Sequence, residues 1–304
     1  MIKTLYIHAG IHKTGTTSIQ KWCDANRGLL KKQSIDYVEM NCIDSNHATY
    51  ATCLNPDLVN ICRDSGYFLG LSEQNRYNYS RIDSYSLYRD LVHHINESEY
   101  EKFLISSECF LEGIDLKLLS EHLSNKGFAI KFIIYLRPQQ SWIQSVYKYV
   151  VMDKDLRYCG DIEELPQVRM LDYHNLISPF IRHFGVDSIT LKNYNSVIEN
   201  NDGLLLDFVF DILDCEENIL SKDISISITE NKSFSYFEIK VLNLLWKLER
   251  KSGIRLKFFE GAIYKRYFRS FKYSAEPLSF KFGSTNSELF KIFPNFDTTG
   301  FKLK

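Results

Sequence analysis

Within six consecutive positions, Lys13, Thr14, Gly15, Thr16, Thr17 and Ser18, the chain brings together a cation, a glycine and four hydroxyls. Thr4 to His8 just before them alternates and is rich in β-formers, which predicts a strand. Gly10 and Gly15 bracket a tight loop, and Thr16 onward predicts a helix to about Lys32 with Ile19, Trp22 and Leu29 toward the core. Strand, glycine loop and helix build a cradle in which backbone N–H groups and the positive end of the helix dipole converge on one point, suited to a phosphate or sulfate group. The position of the lysine narrows the chemistry. A nucleotide-triphosphatase loop reads G-x-x-x-x-G-K-[ST], with lysine directly after the second glycine and a hydroxyl beside it for Mg²⁺. Gly10 and Gly15 keep that separation, but Thr16 follows Gly15 and Lys13 lies two residues before it. The spacing argues against an ATP-dependent kinase and keeps the anion cradle. The plainer alternative is that the glycines only make a turn and Lys13 is solvated.

Two later groups extend the chemistry. "EKFLISSECF" predicts a buried strand over 103–106 ending in Ser107 and Glu108, and "IKFIIYLRPQQSWIQSVYKYV" predicts another over 130–136 ending in Arg137. A helix follows Pro138, with Trp142, Ile143, Val146, Tyr147 and Val150 inward. In an open α/β sheet, ligands collect at the carboxyl ends of the strands, so Glu108 and Arg137 face the cradle if these strands are neighbours. A guanidinium binds phosphate bidentately, and Ser145, eight residues after Arg137, adds a neutral donor. A carboxylate at position 108 has the chemistry of a general base. Each also has an ordinary reading: a capping or ion-paired Glu108, an ion-paired Arg137, and a Ser145 satisfied by its own helix.

The order Lys13-Thr14-Gly15-Thr16-Thr17 resembles the 5′-phosphosulfate loop of sulfotransferases that use 3′-phosphoadenosine 5′-phosphosulfate (PAPS), and "IHAGIHKTGTTSIQ" looks most like their bacterial carbohydrate-type members. The 3′-phosphate segment of that family has an Arg closing a strand and a Ser eight positions later, usually as R-N-P; this chain reads "RPQQ", with Pro138 in place of the asparagine. The resemblance implies an α/β, P-loop sulfotransferase-like three-layer sandwich with a central, mainly parallel sheet flanked by helices. It also implies PAPS as donor, with its 5′-phosphosulfate on Lys13 to Ser18 and its 3′-phosphate on Arg137 and Ser145, and 3′-phosphoadenosine 5′-phosphate (PAP) as product. Lys13 and the N–H groups of Gly15 to Thr17 would stabilise the bridging oxygen as the bond breaks, and no metal is required. Glu108 would take the proton of an acceptor hydroxyl or amine on a small molecule or glycan. "SNHATYATCL" resembles an Asn-His pair of related bacterial sequences, making His47 the second choice of base; a surface or capping histidine is its ordinary reading. Two other classes stay open: a P-loop small-molecule kinase using Mg-ATP, and a catalytically silent nucleotide-binding scaffold.

The rest of the chain must position these groups. Its 304 residues suffice for one elaborated domain, expected as a PAPS-binding core over 1–225, with an insertion at 41–81 near the acceptor site, and a helical extension over 226–304. A formal net charge of −1 lends no support to nucleic-acid binding. No apolar run approaches the roughly 20 residues of a transmembrane helix and no signal-peptide pattern opens the chain, so a cytoplasmic location is expected. Seven scattered cysteines without C-x-x-C predict reduced thiols. Apolar spacing predicts helices at 84–95, at 171–185 with a break at Pro179, at 201–213, and, over 228–253, a turn and then a long amphipathic helix with Phe237, Val241, Leu244, Leu245 and Leu248 inward. Asn231 and Ser233 resemble residues near the nucleotide in related chains, though capping is the simpler role. The cations and aromatics between Lys247 and Lys272, Arg266 and Arg269 among them, read as a solvated helix face or, alternatively, as a docking surface for an anionic or carbohydrate acceptor.

Overall fold

Five strands, β1 (Thr4–His8), β2 (Ile35–Tyr37), β3 (Lys102–Ser106), β4 (Ala129–Leu136) and β5 (Ile189–Asn193), form one sheet in the order β2-β3-β1-β4-β5. Every pairing is parallel. The computed structural model describes residues 2–41, 45–55, 83–152, 157–199, 203–215, 236–253 and 282–303. Strands covered on both faces read as continuous apolar runs, and here Phe103 to Ile105 and Phe132 to Leu136 are fully buried.

The helices among the described residues are α1 (Thr16–Ala25), α2 (Arg27–Lys32), α3 (Ala48–Thr52), α4 (Ser84–Glu97), α5 (Leu116–Leu123), α6 (Gln139–Met152), α7 (Tyr173–Phe184), α8 (Tyr194–Glu199), α9 (Gly203–Leu206), α10 (Tyr236–Ser252) and α11 (Gly283–Ile292). A π-helical turn, Asp207–Ile212, continues from α9. Parallel connections are right-handed, so their direction along the sheet decides which face their helices cover. The connection from β1 to β2 runs one way and carries α1 and α2; the connections that follow run the other way and carry α4, α5 and α7. Accordingly α5 packs on α4 and α7, and α7 on α11, whereas α1 packs on α2 and α9. The result is the expected three-layer α/β arrangement, wound in both directions about β1.

The chain divides into two compact units, one of Met1–Pro138, Asp172–Ile224 and Gly283–Lys304, the other of Gln139–Leu171 and Ser225–Phe282. These units interleave in sequence: α6 falls in the second unit with α10, and α11 in the first with the sheet. In the second unit α10 packs on α6, and Trp246 Nε1 donates to the Val151 carbonyl at 2.8 Å. Arg157 pairs with Glu249 and lies over the Trp246 ring, 4.7 Å from its centroid. These contacts rotate α10 away from its expected register: Ile239, Leu242, Leu245 and Trp246 are buried, whereas Leu244 and Leu248 are 57% and 49% exposed.

Two other expectations change. The first helix breaks at Asn26, whose side chain bonds back to the Trp22 carbonyl at 2.8 Å, so α2 starts afresh at Arg27. Pro179 does not break α7: the helix runs through it because burial of Tyr173, Ile177 and Phe180 outweighs the one hydrogen bond proline removes. Most of the insertion expected at 41–81, Asn231, Ser233, and the cation-rich stretch beyond Gly253, with Arg266 and Arg269, lie outside the described residues.

Candidate active site

Because all strands run the same way, the residues that follow β1, β3 and β4 leave one edge of the sheet side by side. Ala9 N–H donates to the Ile133 carbonyl and Ser107 N–H to the His8 carbonyl, both at 3.0 Å, which locks the three strand exits together. The loop after β1 then bends sharply, with Lys13 at φ 67° and Gly15 at φ 77°, both left-handed. A left-handed lysine costs free energy, and such strain gathers at binding loops. Thr14 is buried and turns its hydroxyl back to the Ile11 carbonyl at 2.5 Å, closing the loop from within.

Gly15 caps α1. Its carbonyl accepts from Ser18 N–H at 2.9 Å and Ile19 N–H at 3.2 Å, and no side chain caps the helix. The N–H groups of Thr16 and Thr17 therefore have no intrahelical acceptor. Thr16 Oγ1 is buried without a hydrogen-bond partner, while Thr17 and Ser18 are exposed on the same turn. A Cβ placed on Gly10 would stand 2.1 Å from Thr16 Oγ1, so the missing side chain at Gly10 is what makes room for the threonine. Unfilled donors at a helix start, an orphaned hydroxyl and a side-chain-free wall fit an anionic group.

Cations converge on this loop. Arg137, just past β4, donates from Nη1 to the Lys13 carbonyl at 3.1 Å, and its guanidinium carbon lies 5.5 Å from the centroid of the Tyr194 ring. Tyr173 Oη donates to the Arg137 carbonyl at 2.6 Å. Partial desolvation, and then the nearby Arg137 charge, lower the pKa of Lys13 from its ordinary value. Burial likewise lowers that of Arg137, against a raising effect of Tyr194 and Tyr173, and the guanidinium stays charged at any physiological pH. A lysine whose charge is disfavoured by a neighbouring guanidinium is stabilised by an anion beside both.

Glu108 opens a 3₁₀ turn, Glu108–Leu111, immediately after Ser107, whose hydroxyl accepts from Cys109 N–H at 3.2 Å. Its Oε2 accepts from Gln20 Nε2 of α1 at 3.2 Å and from Asn46 Nδ2 at 3.4 Å. The far end of that turn is tied to the cradle as well, through Glu112 and His12 at 3.1 Å. The carboxylate after β3 is thus held against the helix that begins at the cradle.

His47 has a different setting. It is fully buried, its Nε2 donates to the Val38 carbonyl at 2.6 Å, and its Nδ1 accepts from Ser106 N–H at 3.2 Å. Both ring nitrogens are engaged with backbone, so the ring bridges β2 to β3 and has no lone pair left for an acceptor proton. Burial pushes its pKa down to about 4, and that of His8, buried against Ser106 Oγ at 2.8 Å, to about 3. In the unfolded chain both titrate near 6.5. The unfolded state therefore binds protons that the folded state refuses, and stability present above about pH 6.5 is lost as pH falls toward those values. For His47 alone the loss is on the order of 3 kcal/mol. Thermal melts between pH 7 and pH 4 are expected to show this decline, with a shallower slope in His47→Gln; equal slopes would assign the acid sensitivity elsewhere.

Ser145 lies half-buried on α6, within the second unit, whereas Lys13 to Ser18, Glu108 and Arg137 all belong to the first. Sequence reasoning missed Gln20, Tyr173 and Tyr194, and singled out Asn46 only as the neighbour of His47 in an Asn-His pair. Gln20 had a legible signal, a polar residue in the apolar stripe of Thr16, Ile19 and Cys23; the others are brought in by tertiary contacts.

No family model and no curated protein matches the sequence. Among solved structures, the chain is similar to a sulfotransferase from Alicyclobacillus acidocaldarius at 13% identity and TM-score 0.43, over 85% of this chain and 99% of that one. It is similar to the sulfotransferase domain from the curacin biosynthetic pathway at 14% identity and TM-score 0.37, over 72% and 76%. A third similarity is to the sulfotransferase domain from the Synechococcus PCC 7002 olefin synthase, at 14% identity and TM-score 0.37, over 88% and 95%. Identities this low leave the role of each residue to the chain's own geometry.

Proposed function

We propose that the chain is a sulfotransferase that moves the sulfuryl group of PAPS to an acceptor hydroxyl, or amine, on a small molecule or glycan. The observation that carries the reading is the meeting of three groups at the carboxyl ends of adjacent parallel strands: a glycine cradle after β1, a carboxylate after β3 and a guanidinium after β4. PAPS supplies the activated sulfuryl group. The N–H groups of Thr16 and Thr17 with the Thr16 hydroxyl hold its 5′ end, and Lys13 faces the charge that develops on the leaving oxygen. Arg137 holds the 3′-phosphate, which distinguishes this donor from ATP. Ser145 is assigned the accompanying hydroxyl on its sequence spacing alone. Glu108, oriented by Gln20 and Asn46, takes the acceptor proton; His47, with both nitrogens occupied, is left out of the chemistry.

The test is isothermal titration with PAP, with ADP, and with ATP plus Mg²⁺. PAP is expected to bind without a metal, and Arg137→Ala to weaken it on the order of 10- to 100-fold, the range for charge-assisted hydrogen bonds. Binding of Mg-ATP with indifference to the 3′-phosphate would transfer the site to kinase chemistry. PAP binding without turnover on any acceptor panel would make the protein a nucleotide-binding scaffold.

A further inference from the structure

Arg137 must hold its guanidinium at the sheet edge although the next residue, Pro138, offers no backbone N–H to tie the turn down. The turn is held from outside. Gly300 lies so close to Pro138 that a Cβ on it would stand 3.0 Å from Pro138 Cγ, and its φ is 81°, a conformation that favours glycine. The next residue, Phe301, is buried with its ring centroid 6.2 Å from that of Tyr173, the tyrosine whose hydroxyl binds the Arg137 carbonyl. Two successive residues near the end of the sequence thus support the two positions of the Arg137–Pro138 step.

The segment that carries them is itself anchored. Asn193, the last residue of β5, donates through Nδ2 to the carbonyls of Asp297 at 3.0 Å and Thr299 at 2.9 Å. Asn286 of α11, fully buried, donates to the Lys302 carbonyl at 2.9 Å. Phe301 also meets Phe290 and Phe296, with ring centroids 5.2 and 5.4 Å away. An aromatic cluster alone would explain a stable fold. Contacts on both residues of the Arg137–Pro138 step, one through a proline ring and one through a tyrosine hydroxyl, serve the placement of the guanidinium.

We infer that segment 293–303 is a strap that sets Arg137 for its anionic ligand, acting through Pro138 and Tyr173. The inference rests on the reading of Arg137 as the 3′-phosphate ligand, and it makes Gly300 and Phe301 positioning residues that never touch the nucleotide. Titration of Phe301→Ala and of Gly300→Ala, each alone and combined with Arg137→Ala, compares PAP with AMP, which lacks the 3′-phosphate. Phe301→Ala is expected to raise the Kd for PAP about tenfold, to leave AMP within about twofold, and to add nothing in the Arg137→Ala background. Gly300→Ala, on an exposed turn, follows the same pattern with a smaller shift and carries the cycle if Phe301→Ala does not fold. Phe301→Leu restores most of the affinity. Unchanged PAP binding, an equal loss for PAP and AMP, or an undiminished loss in the Arg137→Ala background would overturn the strap. Wild-type PAP affinity in Arg137→Ala itself would instead overturn the site reading, and the strap with it.

Discussion

Glu108→Gln is expected to lower sulfuryl transfer on the order of 10²- to 10⁴-fold while leaving PAP affinity within about twofold. The substitution isolates the proton-accepting role because of how the carboxylate is held. Gln20 and Asn46 both donate to Oε2, and an amide carbonyl at the same position accepts both bonds. The replacement therefore keeps the turn over Glu108–Leu111 in place and removes only the basic oxygen. Glu108→Ala would be a poorer probe: it removes the nearer of the two acceptors of the buried Gln20 amide, leaving only the Ser106 carbonyl at 3.4 Å, and mixes stability with catalysis. Initial rates of transfer from labelled PAPS to an acceptor panel, read beside PAP titrations, check the prediction. Near-wild-type turnover in Glu108→Gln would remove the carboxylate from the chemistry.

The strands that position these groups were legible because parallel strands buried on both faces are apolar along the buried run: Phe103 to Ile105 and Phe132 to Leu136 announce themselves, and the polar residues after each mark its exit. The cradle was legible for a local reason as well, since glycine spacing and a left-handed turn belong to one short stretch of chain. Roles that depend on distant partners were not. Nothing local to His47 reveals that Val38 and Ser106 take both of its nitrogens. The register of α10 failed similarly. Leu244 and Leu248 fit an apolar stripe, but Trp246 with its bond to Val151 and the Arg157–Glu249 pair favour a face that includes a glutamate. The two-unit division was hidden because α6 follows the sheet strand β4 without a linker and still groups with residues far along the chain.

Gly10→Ala is expected to abolish measurable PAP binding while lowering stability by only about 1–3 kcal/mol, the usual cost of overpacking. Gly10 has an ordinary negative-side backbone, so alanine strains nothing in the chain itself. The three atoms nearest the new methyl group all belong to Thr16, whose Oγ1, Cγ2 and Cβ would stand 2.1, 3.1 and 3.2 Å away. The new methyl group forces Thr16 to move, and Thr16 begins the turn whose unfilled N–H groups and hydroxyl hold the anion in the proposed site. Gly15→Ala makes the informative contrast. There the added Cβ meets Leu204 Cδ2 at 2.2 Å, a flexible side chain that can yield, but φ of 77° penalises the backbone and so the N-cap of α1. Gly15→Ala should therefore lose more stability and Gly10→Ala more selectively lose ligand, a crossing that melting curves and PAP titrations of the two variants read directly. A Gly10→Ala protein that bound PAP like the wild type would place the anion away from Thr16 and outside the cradle.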